Sequence, residues 1–262
     1  MFLYEWFFSK NACDIIFKTA EGCENMRKLQ AFFQRVKPKR ILDVATGNGS
    51  FVHLVVRLYD GYDLVKGIDI SEKGIETASK TFTDERIVFE KMNVFDLEGE
   101  EFDVIMLSNS LHHFDDLDML FKQLEGLLAS GGYLLINEMM SDGLNKAQKS
   151  HMRLHHFAAE IDRFNGVVHE ETMKSKDILA TLSEVSMKDI FDAWDMVYPV
   201  ERETSKEDIK NIGATIDRLV GKIEDSAFQE DMRQKGEKLK KYINKKGFEL
   251  ATQMLVIMGE KL

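Results

Sequence analysis

The sequence predicts an α/β fold built on a doubly wound parallel sheet, and three observations predict it. Apolar, strand-like runs alternate with helical ones from Arg40 to Glu138. A glycine turn, Thr46-Gly47-Asn48-Gly49, directly follows the first apolar run. Polar or glycine residues then close successive strand ends at intervals of about 25 residues, which is where an open parallel sheet binds its ligands.

Each element has its own signal. Residues 1–36 read as helical, with apolar positions recurring every three or four from Ile15 to Phe33, and Pro38 ends the stretch. Arg40–Ala45 is a buried strand, followed by the glycine turn and a helix from about Ser50 to Leu58. Leu64–Ile70 is a second strand, and Ser71 caps a helix over Gly74–Phe82. Arg86–Met92 and Phe102–Ser108 are the third and fourth strands, and a helix follows over Leu117–Leu128. Gly131–Gly132 turns the chain into a fifth strand, Tyr133–Glu138. Helices are then expected over 144–165 and Ser175–Val185, a sixth strand over Ile190–Val197, a charged helical stretch over 205–246, and a seventh strand over Leu250–Met258. There is no internal repeat, and with two prolines no flexible linker stands out. The late helices therefore read as insertions into one domain spanning 1–262.

Bulk properties narrow the chemistry. Hydrophobic residues make up 44% of the 262 and charged residues 31%, which suits a globular core under a soluble surface. No apolar run approaches the roughly 18–20 residues of a membrane span. Glu5, Lys10 and Asp14 interrupt the aromatic N-terminus, so it does not read as a signal peptide. Cys13 and Cys23 are too few for a disulfide framework, and a reducing cytoplasm is the simplest setting. The net charge of −10 disfavours a nucleic-acid substrate, because binding phosphates needs a basic patch.

The strand ends carry the functional signals. In Asp43-Val44-Ala45-Thr46-Gly47-Asn48-Gly49 the glycines allow a sharp turn and close approach to a ligand. A dinucleotide fingerprint would need a third glycine where Val52 stands, and the acidic Asp43 suits a cationic ligand better than a pyrophosphate. Asp69 follows Gly49 by 20 residues and can accept both hydroxyls of a ribose, a device that a nicotinamide enzyme shares. After the third strand come Asn93, Val94 and Asp96. After the fourth come Ser108, Asn109, Ser110, Leu111, His112 and His113. A histidine near neutrality can serve as a general base, and His112 and His113 are the candidate catalytic residues.

Residues 38–140 resemble the class I S-adenosylmethionine-dependent methyltransferases, in the branch that includes the ubiquinone and menaquinone enzymes. Their first motif, D/E-x-G-x-G-x-G, matches Asp43–Gly49 with Ala45 replacing the first glycine. The resemblance implies a Rossmann-like sheet of seven strands with the seventh antiparallel. It implies S-adenosyl-L-methionine as cofactor, held by Asp43, Ala45, Gly47, Asn48 and Gly49 at its methionine portion and by Asp69 and Ile70 at its ribose. Asn93 and Val94 would meet the adenine, with Ser108 and Asn109 completing the cofactor site. The Leu111-His112-His113 run is similar to one found in small-molecule enzymes of the family, and the proline-containing tetrapeptide of DNA amino-methylating enzymes is missing.

The inserts invite two further readings. His151 and His155 lie four apart, as do His156 and Glu160, so each pair shares a helix face. That spacing can bind a metal, but the reading adopted is a lid over the pocket mouth, with His151, His155 and Tyr4 on the substrate side and no metal assigned. The apolar stripe Ile209, Ile212, Ile216, Leu219 and Ile223 buries one face of 205–246 against the sheet domain or against a second copy in a homodimer. The expected division is an N-terminal helical cap over 1–37, a cofactor-binding core over 38–140, a helical lid with the helix before strand six over 141–188, and the insertion over 205–246. The expected function is cytoplasmic methyl transfer to a small-molecule acceptor. A protein or RNA methyltransferase, an NAD-dependent oxidoreductase and a catalytically silent cofactor-binding module are the alternatives.

Overall fold

A computed structural model describes residues 24–186, 188–197 and 204–259. Helix α1 covers Glu24–Val36 of the expected N-terminal helical segment, while the rest of that segment, with Tyr4, lies outside the described residues. The chain then runs β1 (Arg40–Val44), α2 (Ser50–Leu58), β2 (Leu64–Asp69), α3 (Glu72–Thr81), β3 (Ile87–Lys91), β4 (Phe102–Ser108), α4 (Leu117–Gly126) and β5 (Leu128–Met139). It continues through α5 (Gln148–Phe164), α6 (Ser175–Val185), β6 (Ile190–Met196), α7 (Lys206–Val220), α8 (Ser226–Lys246) and β7 (Gln253–Met258).

The strands form one seven-stranded sheet in the order β3-β2-β1-β4-β5-β7-β6, with β7 antiparallel to both β5 and β6 as expected. Chain direction reverses its winding between β1 and β4, so loops leave those two strand ends in opposite directions and open a crevice. The strands are apolar on both faces because helices cover both. Ile41, Val104 and Met106 face α1 and α2, where Leu29, Phe33, Val52 and Val55 pack. Their neighbours Leu42, Ile105 and Leu107 face α4 and α6, against Leu120, Phe121, Leu124, Ile178 and Leu182.

Two elements differ from the expectation. β5 begins at Leu128, five residues before Tyr133, because Leu128 pairs with Phe102 and a register shift accommodates Gly131 and Gly132 inside the strand. The stretch 205–246 is two helices, since Asp225 caps a new one by accepting from Phe228 N at 2.8 Å. These helices pack on α5 in a third core of Leu154, Phe157, Ile161, Ile212, Ile216, Leu219, Met232, Leu239 and Ile243. The apolar stripe of 205–246 is therefore covered within the chain, by α5 and α8.

Ile216 is fully buried in this third core. Ile216→Ala is expected to cost about 2–4 kcal/mol in urea unfolding. A cost under about 1 kcal/mol would mean that the insert does not fold cooperatively with the sheet.

Candidate active site

The first part of the site is the loop after β1, bent by three left-handed residues: Ala45 (φ 54°), Gly47 (φ 56°) and Gly49 (φ 79°). For Ala45 this conformation costs roughly 1 kcal/mol, which a glycine would not incur. Thr46 N donates to Ile68 O at 3.0 Å and Gly49 N to Thr46 O at 2.9 Å, so the loop is tied both to β2 and to itself. Asp69 at the end of β2 then grips it. Its Oδ2 accepts from Gly47 N at 2.8 Å and its Oδ1 from Ser71 N at 2.7 Å, which leaves each oxygen a second lone pair. A Cβ on Gly74 would sit 2.8 Å from Gly47 O, so the first turn of α3 presses directly against the loop. Above Gly47 the space is open among the described residues, none of which, its two chain neighbours aside, places an atom within 4 Å of where a Cβ would project.

Asp43 lies beneath this loop and is buried, accepting from Thr46 Oγ1 at 2.6 Å. Burial pushes its carboxyl up to about 7, the Thr46 bond works against that rise, and the Asp69 charge adds to it. Next to Asp69 at the end of β2, Ile70 is 71% exposed, an apolar side chain presented beside the carboxylate. Asn93 caps the short 3-10 turn Val94–Asp96 by accepting from Phe95 N at 3.2 Å. Its amide is exposed, Val94 is buried, and Asp96 is exposed on the same turn.

The second part begins where β4 ends. Asn137 Nδ2 donates to Ser108 Oγ at 3.0 Å, and Asn109 is held left-handed (φ 51°) by donating its N–H to Asn137 O at 2.7 Å. The buried Asn109 Oδ1 has no hydrogen-bond partner among the described residues. Glu138, 3% exposed at the end of β5, repeats the role of Asp69: its Oε1 accepts from Ser110 N at 2.7 Å and Leu111 N at 2.8 Å. Its Oε2 lies 3.2 Å from His112 Nδ1.

His112 is the first of a connected group. His155 Nε2 is 3.2 Å from His112 Nε2 and 3.2 Å from His169 Nε2. His169 Nδ1 lies 2.7 Å from Asp162 Oδ2, and His113 Nδ1 lies 3.2 Å from Val168 O. Burial, then the nearby His112 and His169, push His113 down to about 3, and the same causes hold His155 well below the usual range.

The fold thus gathers Asp43, Ala45, Gly47, Asn48, Gly49, Asp69, Ile70, Asn93 and Val94 on one side of the crevice, and Ser108, Asn109, His112, His113 and His155 on the other. His151 faces elsewhere, with its Nδ1 accepting from Ala251 N at 3.0 Å at the approach to β7. Glu160 pairs with Lys235 at 2.6 Å, whereas His156 turns to Thr172 Oγ1 at 2.8 Å. Sequence reasoning missed Glu138, Asp162 and His169. A signal existed only for Glu138, an acid closing an otherwise apolar strand.

Because folding raises the Asp43 pKa from 3.8 to about 7, the folded state holds a proton that the unfolded chain releases. The residue therefore subtracts stability as pH rises from about 4 to about 7, and the full penalty applies above that window. Asp43→Asn is expected to be more stable than the parent by about 1–3 kcal/mol at pH 8 and by far less at pH 4, read from thermal unfolding at both. A gain independent of pH would contradict this account of Asp43.

Residues 17–180, well over half of the chain, match the family described as a methyltransferase domain. The 27-O-demethylrifamycin SV methyltransferase of Amycolatopsis mediterranei is 34% identical over 108 residues, 38% of this chain and 39% of that protein. The demethylmenaquinone methyltransferase of Bacteroides fragilis is 32% identical over 119 residues, 43% of this chain and 48% of that protein. The chain therefore spans less than half the length of the curated relatives it matches. A SAM-dependent methyltransferase from Geobacter sulfurreducens, solved with S-adenosyl-L-homocysteine, shares the fold at a TM-score of 0.54 and 14% identity, covering 91% of both chains. With its glycine loop, its strand-end carboxylates and an antiparallel seventh strand, the chain belongs to the methyltransferase-domain family.

Proposed function

We propose that this protein transfers a methyl group from S-adenosyl-L-methionine to a small-molecule acceptor. The observation that carries the reading is the loop 45–49 clamped over buried Asp43 by Asp69, with open space above Gly47. The Asp69 carboxylate in the wall of the crevice favours a cationic ligand and repels a pyrophosphate. Val52, where a dinucleotide site needs glycine, is fully buried in the core and leaves no such approach.

The residues present fit the cofactor. Asp69 keeps lone pairs for two ribose hydroxyls, Ile70 offers an apolar face to the adenine, and Asn93 with the Val94 N–H would meet the adenine edge. Asp43 and the unpartnered Asn109 Oδ1 would face the cationic methionine end. When bound, the cofactor supplies an electrophilic methyl group on sulfur. The protein's part is to hold the acceptor in line and close. His112 and His113 are proposed to deal with the acceptor's proton, with His112 oriented by Glu138. His113, pushed down to about 3, stays neutral at physiological pH and is a poor base by itself.

The core over 38–140 would hold the cofactor. Helix α5 in 141–188 would roof the acceptor with His155, while Tyr4 lies outside the described residues. The net charge of −10 supports a small acceptor over RNA, and a cytoplasmic setting fits two cysteines. No described helix is long and apolar enough to cross a membrane.

Calorimetry is the test of the cofactor: S-adenosylmethionine should bind and NAD should not, and the reverse result would overturn the reading. Transfer of labelled methyl across a panel of phenol, quinol, amine and thiol acceptors tests turnover. Binding with no transfer to any of them would favour the silent module. Asp69→Ala should weaken cofactor binding by about 10- to 100-fold, the loss of one or two charge-assisted hydrogen bonds. Gly74→Ala should also weaken it about tenfold or more while the protein stays folded by circular dichroism, because only the loop against Gly47 O must move. Unchanged affinity in Gly74→Ala would show that the loop position does not matter.

A further inference from the structure

Five of the chain's seven histidines, His112, His113, His155, His156 and His169, come together from three separate segments. Proton counting shows that hydrogen bonding alone serves them poorly. His112 and His169 each direct Nδ1 at a carboxylate, Glu138 and Asp162, so both carry their proton there and present a bare Nε2. Both bare nitrogens approach one atom, His155 Nε2, at 3.2 Å. A neutral His155 has one proton for two acceptors, and its buried Nδ1 has no partner among the described residues.

We infer that these side chains form a binding site for a divalent transition metal of the zinc class, with Nε2 of His112, His155 and His169 as ligands and His113 within reach. Metal–nitrogen bonds of about 2.0–2.1 Å at a tetrahedral angle place ligand nitrogens roughly 3.3 Å apart, close to the two observed separations. Ligand nitrogens of His112, His113 and His169 also lie within 4.8 Å of one another. Two of the three ligands are backed at Nδ1 as a metal ligand requires, His112 by Glu138 and His169 by Asp162, and the nearby His113 is backed by the Val168 carbonyl. The two carboxylates supply the negative charge that a dication needs, and among the described residues Glu138 is otherwise met by the neutral N–H groups of Ser110 and Leu111. Imidazole donors with no thiolate suit zinc, cobalt, nickel or copper over magnesium or calcium.

Three histidines leave a coordination position open, the pattern of a catalytic centre. Where the methyltransferase reading holds, that position faces the acceptor side of the crevice. The class of acceptor it selects is one carrying a hydroxyl or thiol, whose proton the metal makes easier to lose.

The test is metal binding by the whole chain, with no turnover required. After treatment with chelator, the protein should take up one equivalent of Zn2+ by calorimetry and elemental analysis. Co2+ should give the visible absorption of a low-symmetry nitrogen site. His169→Ala and His155→Gln should each lose at least 100-fold in Zn2+ affinity, and Asp162→Asn about 10- to 100-fold. Zn2+ should also raise the unfolding temperature of the parent and not of His169→Ala. If the folded parent binds Zn2+ no more tightly than His169→Ala, or Co2+ stays pink and octahedral, the metal site is wrong. S-adenosylmethionine binding measured on the same sample separates the two readings: cofactor binding without Zn2+ removes the metal alone, and Zn2+ binding without the cofactor removes the methyl-transfer reading.

Discussion

Everything in the crevice hangs on a carboxylate at the end of a strand that accepts backbone N–H groups from loops beside it. Asp69 on β2 takes Gly47 N and Ser71 N, and Glu138 on β5 takes Ser110 N and Leu111 N. Such charge-assisted bonds are roughly twice as strong as neutral ones, and in a buried setting they are poorly screened. Both satisfy N–H groups at the turn where a strand gives way to a helix or 3-10 segment, groups that would otherwise be buried without partners. The two clamps sit on either side of the β1–β4 divide and fix the two walls of the crevice independently.

The fold absorbs considerable local cost at this point. Ala45 and Asn109 sit in the left-handed region, and Asp43 is buried beside another acid. Strain of this kind persists only where the surroundings over-determine it. Here they do. β1 and β4 are packed on both faces, and the residues under the loop, Leu42, Val44 and Ile68, are 0–1% exposed.

What the sequence revealed divides along a physical line. Strand and helix positions follow from short-range periodicity, so β1–β4 and α2 lie within a residue or two of expectation. The glycine loop and Asp69 were legible because their chemistry is contiguous or lies one crossover away. β5 starts five residues before its expected first residue, because glycines that signal a turn locally are drawn into the sheet by pairing with β4. Glu138, Asp162 and His169 were invisible as a site. Glu138 meets His112 through the pairing of β4 with β5, Asp162 meets His169 just past the end of α5, and the docking of α5 brings His155 and that pair to His112. The four-residue spacing of His151 and His155 did put both on the buried face of α5. But one helical turn separates them, enough to send His151 to Ala251 and His155 to His112.

That docking explains why the helical insert matters to the chemistry. α5 carries His155 and Asp162 on one side and Leu154, Phe157, Ala158 and Ile161 on the side packed against α7 and α8. A helix rotated by one residue turns through about 100°, so the third core sets which side chains reach Glu138 and His112. The strand ends β1, β2 and β3 present hydrogen-bond acceptors, Asp43, Asp69 and Asn93, matched to a ligand rich in donors and positive charge. The ends of β4 and β5 with the insert present imidazoles backed by carboxylates. Two chemically unlike walls therefore meet over one crevice, one set by the sheet and the other by how three helices pack. Changes in the third core would retune the second wall while leaving the first intact.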